Sequence, residues 1–102
     1  MAIQINTDVE TADGFTVQPF AYLYIQIYDP GFSNCVIQYY KSEADYLAKK
    51  SPVNIPSLVN CFNAEIDGSE FWGSELATVF HSKAIALIEE VTGPNTCTIV
   101  RE

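Results

Sequence analysis

The chain has 102 residues, 48% of them hydrophobic, and thirteen acids against five bases give a net charge of −8. That length allows one domain with one core, and the apolar content argues against disorder. The acidity reads most simply as a solubility device. It disfavours nucleic-acid and anionic-membrane partners, because the bases Lys41, Lys49, Lys50, Lys83 and Arg101 include only one adjacent pair.

The start, Met-Ala-Ile-Gln-Ile-Asn, has neither the basic residues nor the long apolar run of a secretion signal, and no stretch approaches the roughly 18 apolar residues of a membrane helix. Synthesis in the cytoplasm of the host cell is the expectation. Residues 2–10 alternate Ile3, Ile5 and Val9 with Gln4, Asn6, Asp8 and Glu10, which predicts a short strand. Residues 1–12 read equally as an extended arm that pairs with a neighbour, although local pairing is the commoner arrangement. Thr11-Ala-Asp-Gly14 breaks the pattern.

From Val17 to Tyr28 a two-residue alternation predicts a strand with two dressed faces. Val17, Ala21, Leu23, Ile25 and Ile27 point one way, into a core, while Phe20, Tyr22, Tyr24, Gln26 and Tyr28 point the other. Rings with hydroxyl tips suit a surface that is partly dry and partly wet, so the second face reads as a contact surface. Asp29-Pro30-Gly31 supplies a turn. The returning strand, residues 34–41, sets Cys35, Ile37 and Tyr39 on one side and Val36, Gln38 and Tyr40 on the other. Pairing the two strands then gathers Tyr22, Tyr24, Tyr28, Val36 and Tyr40 into a cross-strand patch.

Residues 42–50 begin with a capping Ser, carry acids early and lysines late, and predict a short helix that Pro52 and Pro56 terminate. Residues 58–66 read as another strand, with Leu58, Phe62, Ala64 and Ile66 in phase. The longest expected element is a helix over residues 68–91. Asp67 and Glu70 have capping-box spacing at its start, and Thr92-Gly93-Pro94 ends it. Its apolar arc holds Trp72, Leu76, Val79, Phe80, Ala84, Leu87, Ile88 and Val91. Phe71 and Ile85 share a phase outside that arc, a candidate second seam for a partner. Residues 96–101 close the chain as a strand. The expected class is therefore α+β, a single domain over residues 1–102 in which a mainly antiparallel sheet of four or five strands is packed by one long C-terminal helix.

Little in the chain points to catalysis. Nucleophilic chemistry needs Cys or Ser beside a base, and the one histidine, His81, falls at the edge of the outer helix face with no flanking motif. Cys35, Cys61 and Cys97 lack paired spacing for zinc or a redox disulfide, so buried free thiols are expected and no metal or cofactor. Asp8/Glu10 alternate as a solvated strand face, Glu89/Glu90 are adjacent on a helix and do not converge, and no Gly-rich phosphate loop is present. A non-enzyme is the reading.

The order of Phe20-Ala-Tyr-Leu-Tyr-Ile-Gln-Ile, Cys35-Val-Ile-Gln-Tyr-Tyr, Ser42-Glu-Ala-Asp-Tyr-Leu-Ala, a further strand and a helix from Ser69 resembles the small strand-rich virion proteins of tailed bacteriophages, in tail, neck or capsid. The resemblance implies a structural subunit repeated in a ring or shell. Its partners would be copies of itself or other virion proteins, met through Phe20, Tyr22, Tyr24, Gln26, Tyr28, Val36, Gln38 and Tyr40. The alternative is a small adaptor or ligand-binding module using the same Tyr/Gln face as a groove. A groove leaves the rings exposed in a monomer, whereas assembly buries them.

Overall fold

Two strands, β4 (Phe20–Asp29) and β5 (Phe32–Tyr40), form the centre of the computed structural model, which describes residues 2–29, 32–64 and 76–100. Their antiparallel register runs from Phe20 opposite Tyr40 to Asp29 opposite Phe32. The register shifts between Ile27 and Asp29, at Tyr28. The alternation expected from sequence holds from Phe20 to Gln26, but the strand starts at Phe20 rather than Val17. Pro19 is the cause: it has no N–H to give a ladder, while its carbonyl accepts from the Ile5 N–H at 3.0 Å.

The N-terminal segment divides. β1 (Ala2–Ile5) lies inside the sheet between β4 and β7 (Cys97–Val100), antiparallel to both. Beyond Ile5 the chain leaves the sheet, and β2 (Val9–Glu10) pairs instead with β3 (Thr16–Val17) in a separate two-stranded hairpin. Its turn closes with the Gly14 N–H donating to the Thr11 carbonyl at 3.0 Å. Gly14 has φ +86°, a conformation that glycine adopts without a Cβ penalty.

β6 (Cys61–Ala64) adds to the far side of β5, which completes an antiparallel sheet in the order β6-β5-β4-β1-β7. The strand begins three residues later than the sequence pattern suggests, because Leu58 is held in a turn by its N–H bond to Ile55 and Ile66 lies outside the described residues. β6 and β7 occupy opposite edges and, by the alternation of antiparallel neighbours, run in the same direction. α1 (Glu43–Leu47) follows β5, and α2 (Leu76–Thr92) leads into β7. The class is α+β; among the described residues a five-stranded antiparallel sheet carries one helix on a face and one short helix. The predicted start of the long helix, with Asp67, Glu70, Phe71 and Trp72, falls outside the described residues.

The main core lies between the sheet and α2. Ile3, Ile5, Ala21, Leu23, Cys35, Ile37 and Tyr39 pack with Phe80, Ala84 and Ile88, with Ile55 and Leu58 closing one side. The buried stripe of α2 is turned relative to the predicted arc. His81, expected at the outer edge, is only 3% exposed, Ile85 is half-buried against the core, and Val91 is 55% exposed. Glu89 supplies the physical reason. Its carboxylate Oε2 accepts the Thr96 N–H at 3.0 Å and the Cys97 N–H at 3.2 Å, which ties that side of α2 to the start of β7. Gly93, at φ +98°, donates its N–H to the Glu89 carbonyl at 2.9 Å and ends the helix as a left-handed cap.

Candidate functional site

The face of the sheet opposite α2 is aromatic and amide. In the β4–β5 register Phe20 sits opposite Tyr40, Tyr22 opposite Gln38, Tyr24 opposite Val36 and Gln26 opposite Asn34. The sequence expectation of one cross-strand patch holds for the described side chains. Part of it is covered from within the chain.

The cover is α1. Ser42 caps it, its Oγ accepting the Asp45 N–H at 3.2 Å, and the helix sets Tyr46 over the sheet. The Tyr46 ring lies 5.2 Å from Tyr22 in a stacked arrangement, 5.2 Å edge-on from Tyr40 and 5.1 Å from Phe20. Tyr22 meets Tyr24 edge-on at 4.9 Å. Ala2, Phe20 and Tyr40 are buried here, with Tyr22, Tyr46 and Val100 half-buried around them. A second, smaller core results.

The cover is incomplete. Tyr24 keeps 46% of its surface exposed, Val36 36% and Leu47 65%, and Gln26 is exposed. Of the residues expected to form an outward face, Phe20 is fully buried and Tyr40 is 7% exposed, both beneath Tyr46. Tyr22 and Gln38 are half-buried, and Gln38 Oε1 accepts the Tyr40 hydroxyl at 3.2 Å. Burial, and then the neighbouring Tyr24 hydroxyl, hold the Tyr40 phenol above its ordinary pKa. Ile85, half-buried against the opposite core, is separated from this face by the sheet. The Tyr28 side chain and Phe71 lie outside the described residues.

Between the open rings and α1 runs a cleft of about 420 Å³, lined by Tyr24, Tyr40, Tyr46, Leu47, Lys49 and Lys50. Lys49 has φ +60° and donates its N–H to the Tyr46 carbonyl at 3.1 Å, so a left-handed residue ends α1 and leads the two lysines along the cleft. Lys50 meets Asp45 at 3.8 Å in an exposed ion pair of small energetic weight. Tyr46 as a lid, Leu47 and the two lysines were not singled out by the sequence pattern. The available signal was a tyrosine in a two-turn helix placed directly after a tyrosine-rich strand.

The remaining reactive groups are dispersed. Cys35 is buried, and burial pushes its thiol from 9.0 up to about 12. The Cys97 thiol is raised by burial too, against a lowering contact from Thr96. Cys61 is exposed and Cys97 half-buried, contrary to the expectation of three buried thiols; Cys61 sits opposite exposed Val36 and shares its open face. Tyr39, raised by burial, donates its hydroxyl to the Val59 carbonyl. Among the described residues no three His, Cys, Asp or Glu side chains converge as metal ligands, and no helix is long and apolar enough to cross a membrane.

No protein-family model, no curated protein and no solved structure matches the chain.

Proposed function

We propose that the chain is a non-enzymatic assembly subunit that meets copies of itself, or other structural proteins of a phage virion, through the open end of its aromatic face. One observation carries this reading. A five-residue helix closes one end of the face and leaves Tyr24, Val36 and Leu47 exposed beside one another. Tyr24 and Val36 are cross-strand partners, and Tyr24 and Leu47 line the same cleft, so the three form a continuous patch. A large ring with a polar tip next to two aliphatic side chains favours burial against another protein.

The test is the mass in solution. Sedimentation equilibrium of the wild type is expected to give a species heavier than one chain, and Tyr24→Ala combined with Val36→Ala is expected to return it to the monomer while the chain stays folded by circular dichroism. Tyr40 is unsuited to this test, since its ring belongs to the small core. The cleft supports a second reading, a groove for a small ligand. A wild type that stays monomeric at high concentration with no docking partner would favour that reading over assembly.

A further inference from the structure

We infer that the cleft beside Tyr24 receives the acidic hairpin of residues 8–17 from a second copy of this chain, so that copies join head to tail. The inference rests on the assembly reading above and adds the partner and the polarity of the contact.

Charge complementarity selects the occupant. Two of the five bases of a chain with net charge −8 line this cleft, Lys49 and the Lys50 that Asp45 approaches at 3.8 Å, next to the tyrosines at positions 24, 40 and 46. Lysine heads and phenolic hydroxyls both donate hydrogen bonds to carboxylates. The matching surface is the β2–β3 hairpin, where Asp8, Glu10 and Asp13 are all exposed within six residues and the Lys41 ammonium lies 4.7 Å over the Phe15 ring at the turn. Gln18 Nε2 donates to Asp8 Oδ1 at 3.1 Å, and the tight turn at Gly14 stiffens the tip, so the acids are presented on an ordered element.

Geometry makes the contact intermolecular. Val9 is buried in the core shared with α2, Val17 packs against that core, and the Ala12 N–H donates to the Asn54 carbonyl at 2.9 Å. The hairpin is thereby anchored on the α2 side of the sheet. The cleft lies on the other side, under α1. Complementary patches on different faces of one molecule give a heterologous contact, which propagates into a ring or an open filament rather than closing as a two-fold dimer.

Charge reversal followed by sedimentation equilibrium tests this. Lys49→Glu with Lys50→Glu, and separately Asp8→Lys with Glu10→Lys, are each expected to weaken self-association on the order of tenfold or more, by placing like charges together. An equimolar mixture of the two variants restores opposite charges at every junction and is expected to recover the wild-type mass. All four positions are exposed, and the unfolding midpoint of each variant checks that it folds. Lys49→Gly with Lys50→Gln offers a second loss of charge on a backbone that glycine accepts. If Tyr24→Ala with Val36→Ala dissociates the assembly but both lysine variants leave it intact, self-association stands and the head-to-tail inference falls. Weakening by each reversal without recovery in the mixture also overturns it, since the acids and lysines would then not face each other. A wild type that is monomeric throughout removes the assembly reading along with it.

Discussion

The two faces of the sheet are built from the same two central strands and end differently. On one, aliphatic side chains meet Phe80, Ala84 and Ile88 of the 17-residue α2, and all three of those residues have no exposed surface. On the other, rings meet the five-residue α1, which has no buried residue of its own. A long helix closes a face, whereas a single turn and a half can close only part of one. Aliphatic groups left open would cost solubility, while tyrosines tolerate water at their tips. The half-closed face is consequently the one where unsatisfied contact area can persist in a folded monomer.

The sharpest way to break this contrast is to truncate each side's anchor. Phe80→Ala is expected to cost about 3–5 kcal/mol in urea unfolding, because it empties the centre of a fully closed layer. Tyr46→Ala removes one ring from three aromatic contacts at a half-buried position, and about 2 kcal/mol is expected. Equal losses would mean that the small core is as closed as the large one.

Alkali should weaken both faces, the α2 side through Cys35 and the α1 side through the raised Tyr40 phenol. The Cys35 thiol ionises near 12 in the folded chain against 9.0 when unperturbed, so the unfolded chain loses that proton first. Stability that is fully present below about pH 9 should therefore fall as pH rises towards 12, and the raised Tyr39 and Cys97 groups act in the same direction. Cys35→Ala should flatten part of that fall. At neutral pH a thiol reagent should modify exposed Cys61 well before buried Cys35.

The smallest expected effect sharpens the description of the open face. Lys49→Gly relieves a left-handed backbone worth about 1–2 kcal/mol in a non-glycine residue and gives back about 0.4–1 kcal/mol of unfolded-chain entropy. A net gain of about 0.5 kcal/mol in thermal unfolding is expected. A loss instead would mean that the Lys49 side chain holds α1 in place.

Much of the fold was legible because the sequence states it locally. The alternation from Phe20 to Ile27 assigns each side chain to a face before any partner is known, and Ser42, Gly14 and Gly93 mark ends through backbone chemistry that needs no tertiary contact. The helix roll was not legible. Leu87 and Val91 lie on the apolar arc as fairly as Ile88 does, and the roll that turns His81 and Ile85 inward shows in tertiary contacts, among them the Glu89 carboxylate bound to the Thr96 and Cys97 N–H groups.

The candidate surface divides in the same way. By itself the sequence determined that a row of rings and amides would share one side of the β4–β5 hairpin, since period-two geometry leaves no other arrangement. Which of those rings would be covered depended on where α1 came to rest. That position is set largely by packing between residues 20 or more apart in the chain, Tyr46 against Phe20 and Tyr22, with Tyr40 adding a contact close in sequence. The tertiary structure alone decided that Phe20 and Tyr40 became core, that Tyr24 and Val36 stayed open, and that Lys49 and Lys50 came to stand beside them.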